Sequence, residues 1–256
     1  EYRSPRITIT PEIKKILEGK DKRKWMFLCE QHPFYFAVYY FSEYFFYGFA
    51  PFHYDLFQDC KDLAEGRLDE ALWVAFRESS KTSIAKIALA AWVICFAKKR
   101  YINWDSYDKD NSESALYDIA TALQTNEKIL RDFGSLYWES RGFNPGENKE
   151  SKIKRISNFI TRDGVRVEAY STQESTRGRI HKERRPDLYI LDDIENFKTK
   201  ESLLITQKII GHIDEMRAGK SHDTAILYLG NKITNGGVID YIEQIIKRSL
   251  RTRERN

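Results

Sequence analysis

The chain has 256 residues, with 42 Lys and Arg against 38 Asp and Glu, a formal net charge of +4 and 41% hydrophobic residues. That length buries an ample core for one α/β domain with decorations, and the small positive balance suits a protein that meets nucleic acid along one surface rather than one coated in positive charge. Cys29, Cys60 and Cys95 are too few and too far apart for a disulfide framework or a zinc cluster, which fits a reducing setting, and no apolar run reaches the length of a membrane span.

Residues 1–24 read as an N-terminal arm ending in the basic run KDKRK. Residues 25–50 read as one aromatic helix that packs on protein rather than on a membrane, as plain core filling or as a lid or brace, and Pro51 is expected to stop it. HYDLFQDCKDLAEG (53–66) reads as a second helix closed by Gly66. EALWVAF (70–76) is a short apolar run bounded by charge, as in a buried parallel strand. Thr82 to Ala97 is helical, with Ile84, Ile87, Ala88, Ala91, Ile94 and Cys95 at three- and four-residue spacings and KKR at its C-terminal end.

YINWDSY (101–107) predicts a second strand, and NSESALYDIATALQTNEKILRDFG (111–134) a single helix opened by Ser112 and closed by Gly134. A polar loop (139–151) leads to two alternating runs around Asp163-Gly164, a hairpin signal. PDLYILDDIEN (186–196) and TAILYLGNK (224–232) are further buried strands, and a helix at 237–250 with a basic tail closes the chain. Buried strands alternating with helices predict a three-layer α/β fold around a mostly parallel sheet. It divides as an N-terminal helical extension (1–50), a core (51–236) and a C-terminal helix with basic linker (237–256). The missing initial Met and the abrupt basic end read as those of a piece of a longer protein.

In AFRESSKT, Lys81 and Thr82 open a helix straight after a strand. This is the strand-loop-helix context of a Walker A loop, whose backbone N–H groups, Lys and Ser/Thr serve phosphates and Mg²⁺. Ala75 and Ser80 stand where that pattern has glycine, and Arg77, Ser79 and Ser83 lie in or beside the loop. An ordinary strand-turn-helix with a chance lysine is the competing reading. DLYILDD adds four apolar residues and paired acids, the Walker B form: Asp192 for the metal, Asp193 for polarising the attacking water, and Glu195 as a rival base. Acids capping the next helix are the bland alternative, but both motifs occur in the order and separation that an ATPase requires. Asn231, after the apolar run ILYLG, is a candidate γ-phosphate sensor or a simple turn residue. TRGRIHKERRPDL (176–188) carries Arg177, Arg179, Lys182, Arg184 and Arg185, from which Arg177 or Arg179 could act as an arginine finger, or the set could track a DNA backbone.

These stretches, with PFHYDLFQ upstream, resemble the ATPase domain of the large terminase subunit, the DNA-packaging motor of tailed double-stranded DNA bacteriophages. The likeness spans residues 30–245 and is most specific in RPDLYILDDIEN and the RG before it. It implies an ASCE-type, RecA-like P-loop NTPase that hydrolyses ATP with Mg²⁺. A homo-oligomeric ring on the procapsid, joined to a portal protein and a small terminase subunit, would drive double-stranded DNA inward, in the host-cell cytoplasm and away from any membrane. It assigns Lys81 and Thr82 to phosphate and metal, Arg77 to phosphate, Asp192 to metal and Asn231 to coupling, and it places Gln58 or His53 near the adenine. The family's usual base is Glu, so Asp193 departs from it and the choice against Glu195 stays open. No acidic triad follows residue 240, so nuclease activity is not expected. A helicase would need a second RecA-like domain, and a small-molecule kinase would keep the loop glycines. A non-hydrolysing module for DNA binding or assembly has no physical need for Lys81, Thr82 and Asp192 together.

Overall fold

The computed structural model describes residues 7, 9–19, 21–45, 48–140, 156–175, 180–182, 184–195, 202–233 and 235–253 (backbone only at 137–140 and 249–253). Among these residues seven strands form one sheet: β1 (Glu70–Val74), β2 (Tyr101–Ser106), β3 (Tyr137–Ser140), β4 (Asn158–Thr161), β5 (Arg166–Ser171), β6 (Leu188–Asp192) and β7 (Ala225–Gly230). Their order is β1-β7-β6-β2-β5-β4-β3. The first five strands in that order run parallel, and β4 and β3 extend the sheet antiparallel. The expected hairpin is the β4–β5 pair, turned at Gly164 with φ +80°, a conformation that favours glycine.

Alternation along the central strands sorts side chains onto two buried faces. Leu188 and Ile190 of β6, with Ala225, Leu227 and Leu229 of β7, face the larger core. Tyr189, Leu191, Ile226 and Tyr228 face the smaller one. Helices α4 (Pro51–Ala64), α5 (Lys81–Ile84) with its continuation, and α7 (Lys109–Thr125) cover the first face. Helices α9 (Leu203–Ala218) and α10 (Val238–Arg253) cover the second through Ile209, Ile213, Met216, Val238 and Ile242. The result is the three-layer arrangement that continuous apolar strands demand, because a sheet buried on both faces needs helices on both.

Several local expectations are corrected. The aromatic stretch is not one helix but α2 (Lys22–Gln31), α3 (Pro33–Tyr40) and a 3₁₀ turn (Ser42–Phe45), preceded by α1 (Pro11–Glu18) within the presumed arm. Pro33 sets the break: it cannot donate to Cys29 O four residues back, and it opens α3 while His32 Nδ1 accepts from Phe34 N. Pro51 likewise opens α4 rather than stopping its predecessor. The helix expected over 111–134 divides into α7 and α8 (Glu127–Phe133), because the Asn126 side chain accepts from Lys128 N and Ile129 N and caps a new start. Ser112 is no cap: its hydroxyl donates to backbone oxygens, with Lys109 O at 2.8 Å and Tyr170 O at 2.7 Å. The helix after Lys81 is π-helical over Ala85–Ala91 and returns to α-form as α6 (Trp92–Cys95). Helix α9 goes unpredicted, although Ile209, Ile213 and Met216 repeat at helical spacing after the capping Ser202.

The aromatic segment shares the larger core with the sheet, through Phe34, Phe36 and Phe41, which meet Phe57 of α4 there. Trp92, fully buried, donates from Nε1 to the Cys29 O that Pro33 cannot serve, at 2.9 Å. Trp92→Phe keeps an aromatic ring but strands that carbonyl, so it is expected to lower stability by about 1–3 kcal/mol in urea unfolding. A change within error would show that water reaches the carbonyl. Among the described residues no helix is long and apolar enough to cross a membrane.

Candidate active site

The parallel strands deliver their C-terminal ends to one edge of the sheet. Val74 lies beside Gly230, Leu229 beside Asp192, and Asp192 beside Ser106. Such an edge is where open α/β sheets hold ligands. Because β7 sits between β1 and β6, the loop after β1 and the turn after β7 become neighbours. Lys81 and Asn231, 150 residues apart in sequence, therefore meet: Lys81 Nζ donates to Asn231 Oδ1 at 3.0 Å. One strand further, Thr82 Oγ1 donates to Asp192 Oδ1 at 3.2 Å.

The loop between β1 and α5 achieves its turn without glycine. Glu78 and Ser80 both adopt left-handed backbone conformations, at φ 65° and 61°. Ser80, in place of the second glycine of the motif, is the residue before the first helical turn. Each such residue costs roughly 1–2 kcal/mol for a side chain with a Cβ. Between them Ser79 is buried, its hydroxyl has no partner among the described residues, and its carbonyl is held by His53 Nε2 at 3.0 Å.

A cleft of about 360 Å³ opens on this edge, bounded by Arg77, Glu78, Lys81 and Thr82 on one side and by Asp193, Glu195 and Asn231 on another. Tyr107, Asp108 and Asn111, which the sequence reading does not single out, form the remaining wall with Ile233. They follow β2, so the rule that sites gather at the carboxyl ends of parallel strands could have found them. The cleft falls in the size range of small-ligand sites.

The acids differ in environment. Burial, reinforced by the charge of Asp193, pushes the Asp192 carboxyl up to about 6, against the hydrogen bond from Thr82. Asp193 is exposed and, at φ 48°, held in a left-handed turn that turns the chain away from β6. Glu195 is buried: one oxygen accepts from Val238 N at 2.5 Å and the other has no partner among the described residues. Burial raises its carboxyl, while the amides of Val238, Ile239 and Ile233 lower it. Glu195 thus satisfies the N-terminus of α10 and ties that helix to the cleft. Gly230 completes the junction, since a Cβ there would stand 2.3 Å from Ile239 Cδ1.

Other expected site residues lie elsewhere. Gln58 does not line the cleft; its amide donates to Asp62 Oδ1 and its oxygen accepts from His32. His53 supports the loop from behind instead of lining the cleft. Ser83 lies on a neighbouring groove with Lys86 and Asp118. Arg177 and Arg179 fall outside the described residues. Lys182, Arg184 and Arg185 precede β6, at the sheet edge opposite the cleft, and Arg185 donates to Gly219 O at the end of α9.

The arrangement fits a magnesium–triphosphate. Lys81, which lines the cleft, and the N-terminus of the helix it opens offer donors to an anion. Thr82 and Asp192 form the hydroxyl-plus-carboxylate set that Mg²⁺ takes when phosphates supply other oxygens. Among the described residues, no three His, Cys, Asp or Glu side chains group to hold an ion by themselves.

No protein-family model matches the chain, and no curated protein is detectably similar to it. Among solved structures it is similar to the large terminase of bacteriophage HK97, with 16% identity and a TM-score of 0.46 over 78% of this chain. The chain spans 37% of that protein's length.

Proposed function

We propose that this chain is an ATP-hydrolysing P-loop domain of a large-terminase type, a motor domain that moves double-stranded DNA into a viral procapsid. The observation that carries the reading is the convergence of Lys81, Thr82, Asp192 and Asn231 at the carboxyl edge of a parallel sheet. Bound Mg²⁺ would draw negative charge from the phosphates and fix their geometry.

The chain's own residues divide the remaining work. Lys81 binds the terminal phosphates, exchanging its bond to Asn231 for phosphate oxygens. Thr82 and Asp192 orient the metal, and Arg77 at the cleft mouth adds positive charge. Asp193, exposed in the cleft, is the carboxylate free to accept a proton from the attacking water. Glu195 is committed to the Val238 amide and acts in positioning. Asn231, released from Lys81 when phosphate arrives, passes the change to α10 through Gly230 and Ile239. Arg177 or Arg179 would reach a neighbouring subunit's phosphates in a ring, and a portal protein, a small terminase subunit and DNA are its partners in this reading, in the host-cell cytoplasm.

The test is calorimetric titration of the 256-residue chain with MgATP, beside Lys81→Ala. The wild-type chain is expected to bind, and the variant to lose at least about 100-fold in affinity, the scale of one buried charge-assisted contact. No binding by a folded wild-type chain at millimolar ATP would overturn the reading. Binding without turnover in the assembled ring would favour a non-hydrolysing assembly module.

A further inference from the structure

We infer that His53 is a positioning residue for the phosphate loop: it is the brace that lets this loop hold two left-handed residues without glycine. The inference rests on the nucleotide reading above and adds a residue to the same site. Its ring bridges two elements. Nδ1 accepts from Ala50 N at 2.9 Å, which fixes the tautomer, so Nε2 carries the proton and donates to Ser79 O at 3.0 Å. The ring is itself clamped, with the Phe52 ring 4.1 Å away and the Phe49 ring edge-on at 6.1 Å.

Ser79 is the residue between the two strained positions, Glu78 at φ 65° and Ser80 at φ 61°. A non-glycine left-handed residue persists only where its surroundings over-determine it. Pinning the carbonyl of Ser79 fixes the orientation of the peptide that joins it to Ser80. That sets the direction of the Ser80 N–H and of the helix N-terminus beyond it. Glycines do this cheaply in a standard loop because their backbone is free of a Cβ; here a side chain from α4 supplies the constraint instead. His53 therefore acts on nucleotide through the loop and touches no nucleotide itself.

The dependence should vanish once the loop regains glycine, which gives a test that a plain helix cap would fail. MgATP affinity is measured by calorimetry for the wild-type chain, His53→Ala, His53→Gln, Ser80→Gly and the double variant His53→Ala/Ser80→Gly. Hydrogen exchange of the amides at 78–82 is followed in the same set. His53→Ala is expected to weaken binding about tenfold and to speed exchange in the loop, on the scale of one hydrogen bond lost. His53→Gln can accept from Ala50 N and donate to Ser79 O together, so it should stay within about threefold of wild type. In the Ser80→Gly background, removal of His53 should cost less than about threefold. Equal losses in the wild-type and Ser80→Gly backgrounds would overturn the inference and leave His53 as a cap of α4. If the wild-type chain binds no ATP, the nucleotide reading fails on that result alone. The exchange data then still judge the brace, because unchanged loop exchange in His53→Ala sinks it.

Discussion

Asp192→Asn is expected to make the chain more stable and unable to bind nucleotide in a magnesium-dependent way. The carboxyl is buried at the end of β6, and burial with the neighbouring Asp193 raises it from the usual 3.8 to about 6. A carboxyl raised in the folded state binds protons more tightly there than in the unfolded chain. Stability therefore falls as pH rises between about 4 and about 6, and the penalty is complete above that window. Two units correspond to about 3 kcal/mol as an upper figure, and relaxation will reduce it to roughly 2. Asparagine carries no charge and still accepts from Thr82, so it escapes that penalty. The thermal midpoint at pH 7.5 should rise by roughly 4–8 °C, and the difference from wild type should shrink toward zero below pH 4. Calorimetry should find the Mg²⁺ dependence of ATP binding gone. A destabilised variant, or one that keeps the metal dependence, would show that Asp192 is held in place by structure and serves no ion. In the proposed role, the Asp192 carboxylate would be a burden to the fold until a divalent cation arrives.

The second large effect concerns the opposite face of the sheet. Asp105 of β2 is almost fully buried, and its Oδ2 lies 3.0 Å from Nε2 of His212 on α9. The other ring nitrogen of His212 faces Glu174 O at 3.1 Å. Both neighbours of the ring are acceptors, and Asn103 Nδ2 donates to the other oxygen of Asp105 at 3.2 Å. His212→Leu fills the space but leaves Asp105 buried beside an apolar group. The expected loss is about 3–5 kcal/mol in urea unfolding, because the buried carboxylate loses the histidine that meets its Oδ2. The double variant Asp105→Val/His212→Leu should recover more than half of that loss, since two apolar groups leave no charge to solvate. Equal losses in the single and double variants would mean that the network contributes through packing alone. The residue Glu174 also receives Lys109 Nζ at 2.6 Å, so the loop after β5 is tied at once to α9 and to the start of α7 beside the cleft. Loosening it should also weaken nucleotide binding, by a smaller factor than Lys81→Ala.

The two effects separate what is needed for binding from what is needed for folding. Asp192 and Asp105 sit near the ends of adjacent parallel strands, with Leu191 beside Asp105 and Asp192 beside Ser106. Strand alternation sends them to opposite faces. One meets a hydroxyl in a cleft and the other a histidine under a helix. Two acids of the same type at the same level of the sheet thus acquire different roles from the layer they enter.

Much of this was written in local pattern. The apolar runs at 70–76, 186–192 and 224–230 are too continuous for a half-exposed sheet, so they required helices on both faces. The Asp163-Gly164 pair specified its hairpin because one residue had to turn with positive φ, and the paired acids after LYIL marked a strand end. These signals depend on neighbours within a few residues, where side-chain period and backbone sterics act directly.

Tertiary structure alone decided which ends meet. Nothing in residues 75–82 announces that Asn231 will reach Lys81; that follows from β7 lying between β1 and β6. Nothing near Pro33 shows that Trp92 will supply the hydrogen bond that its missing N–H withholds. His53 looked like a residue for the ligand and is a residue for the loop, because α4 presents it to Ser79 O. The helix 203–218 shows its apolar period locally, but the histidine on its buried face meets a partner 107 residues away, which only the fold brings near. Short-range sterics set the periodicity that a sequence displays, whereas strand order and register are settled by which apolar faces can be buried together, and only that burial brings distant polar groups within hydrogen-bond reach.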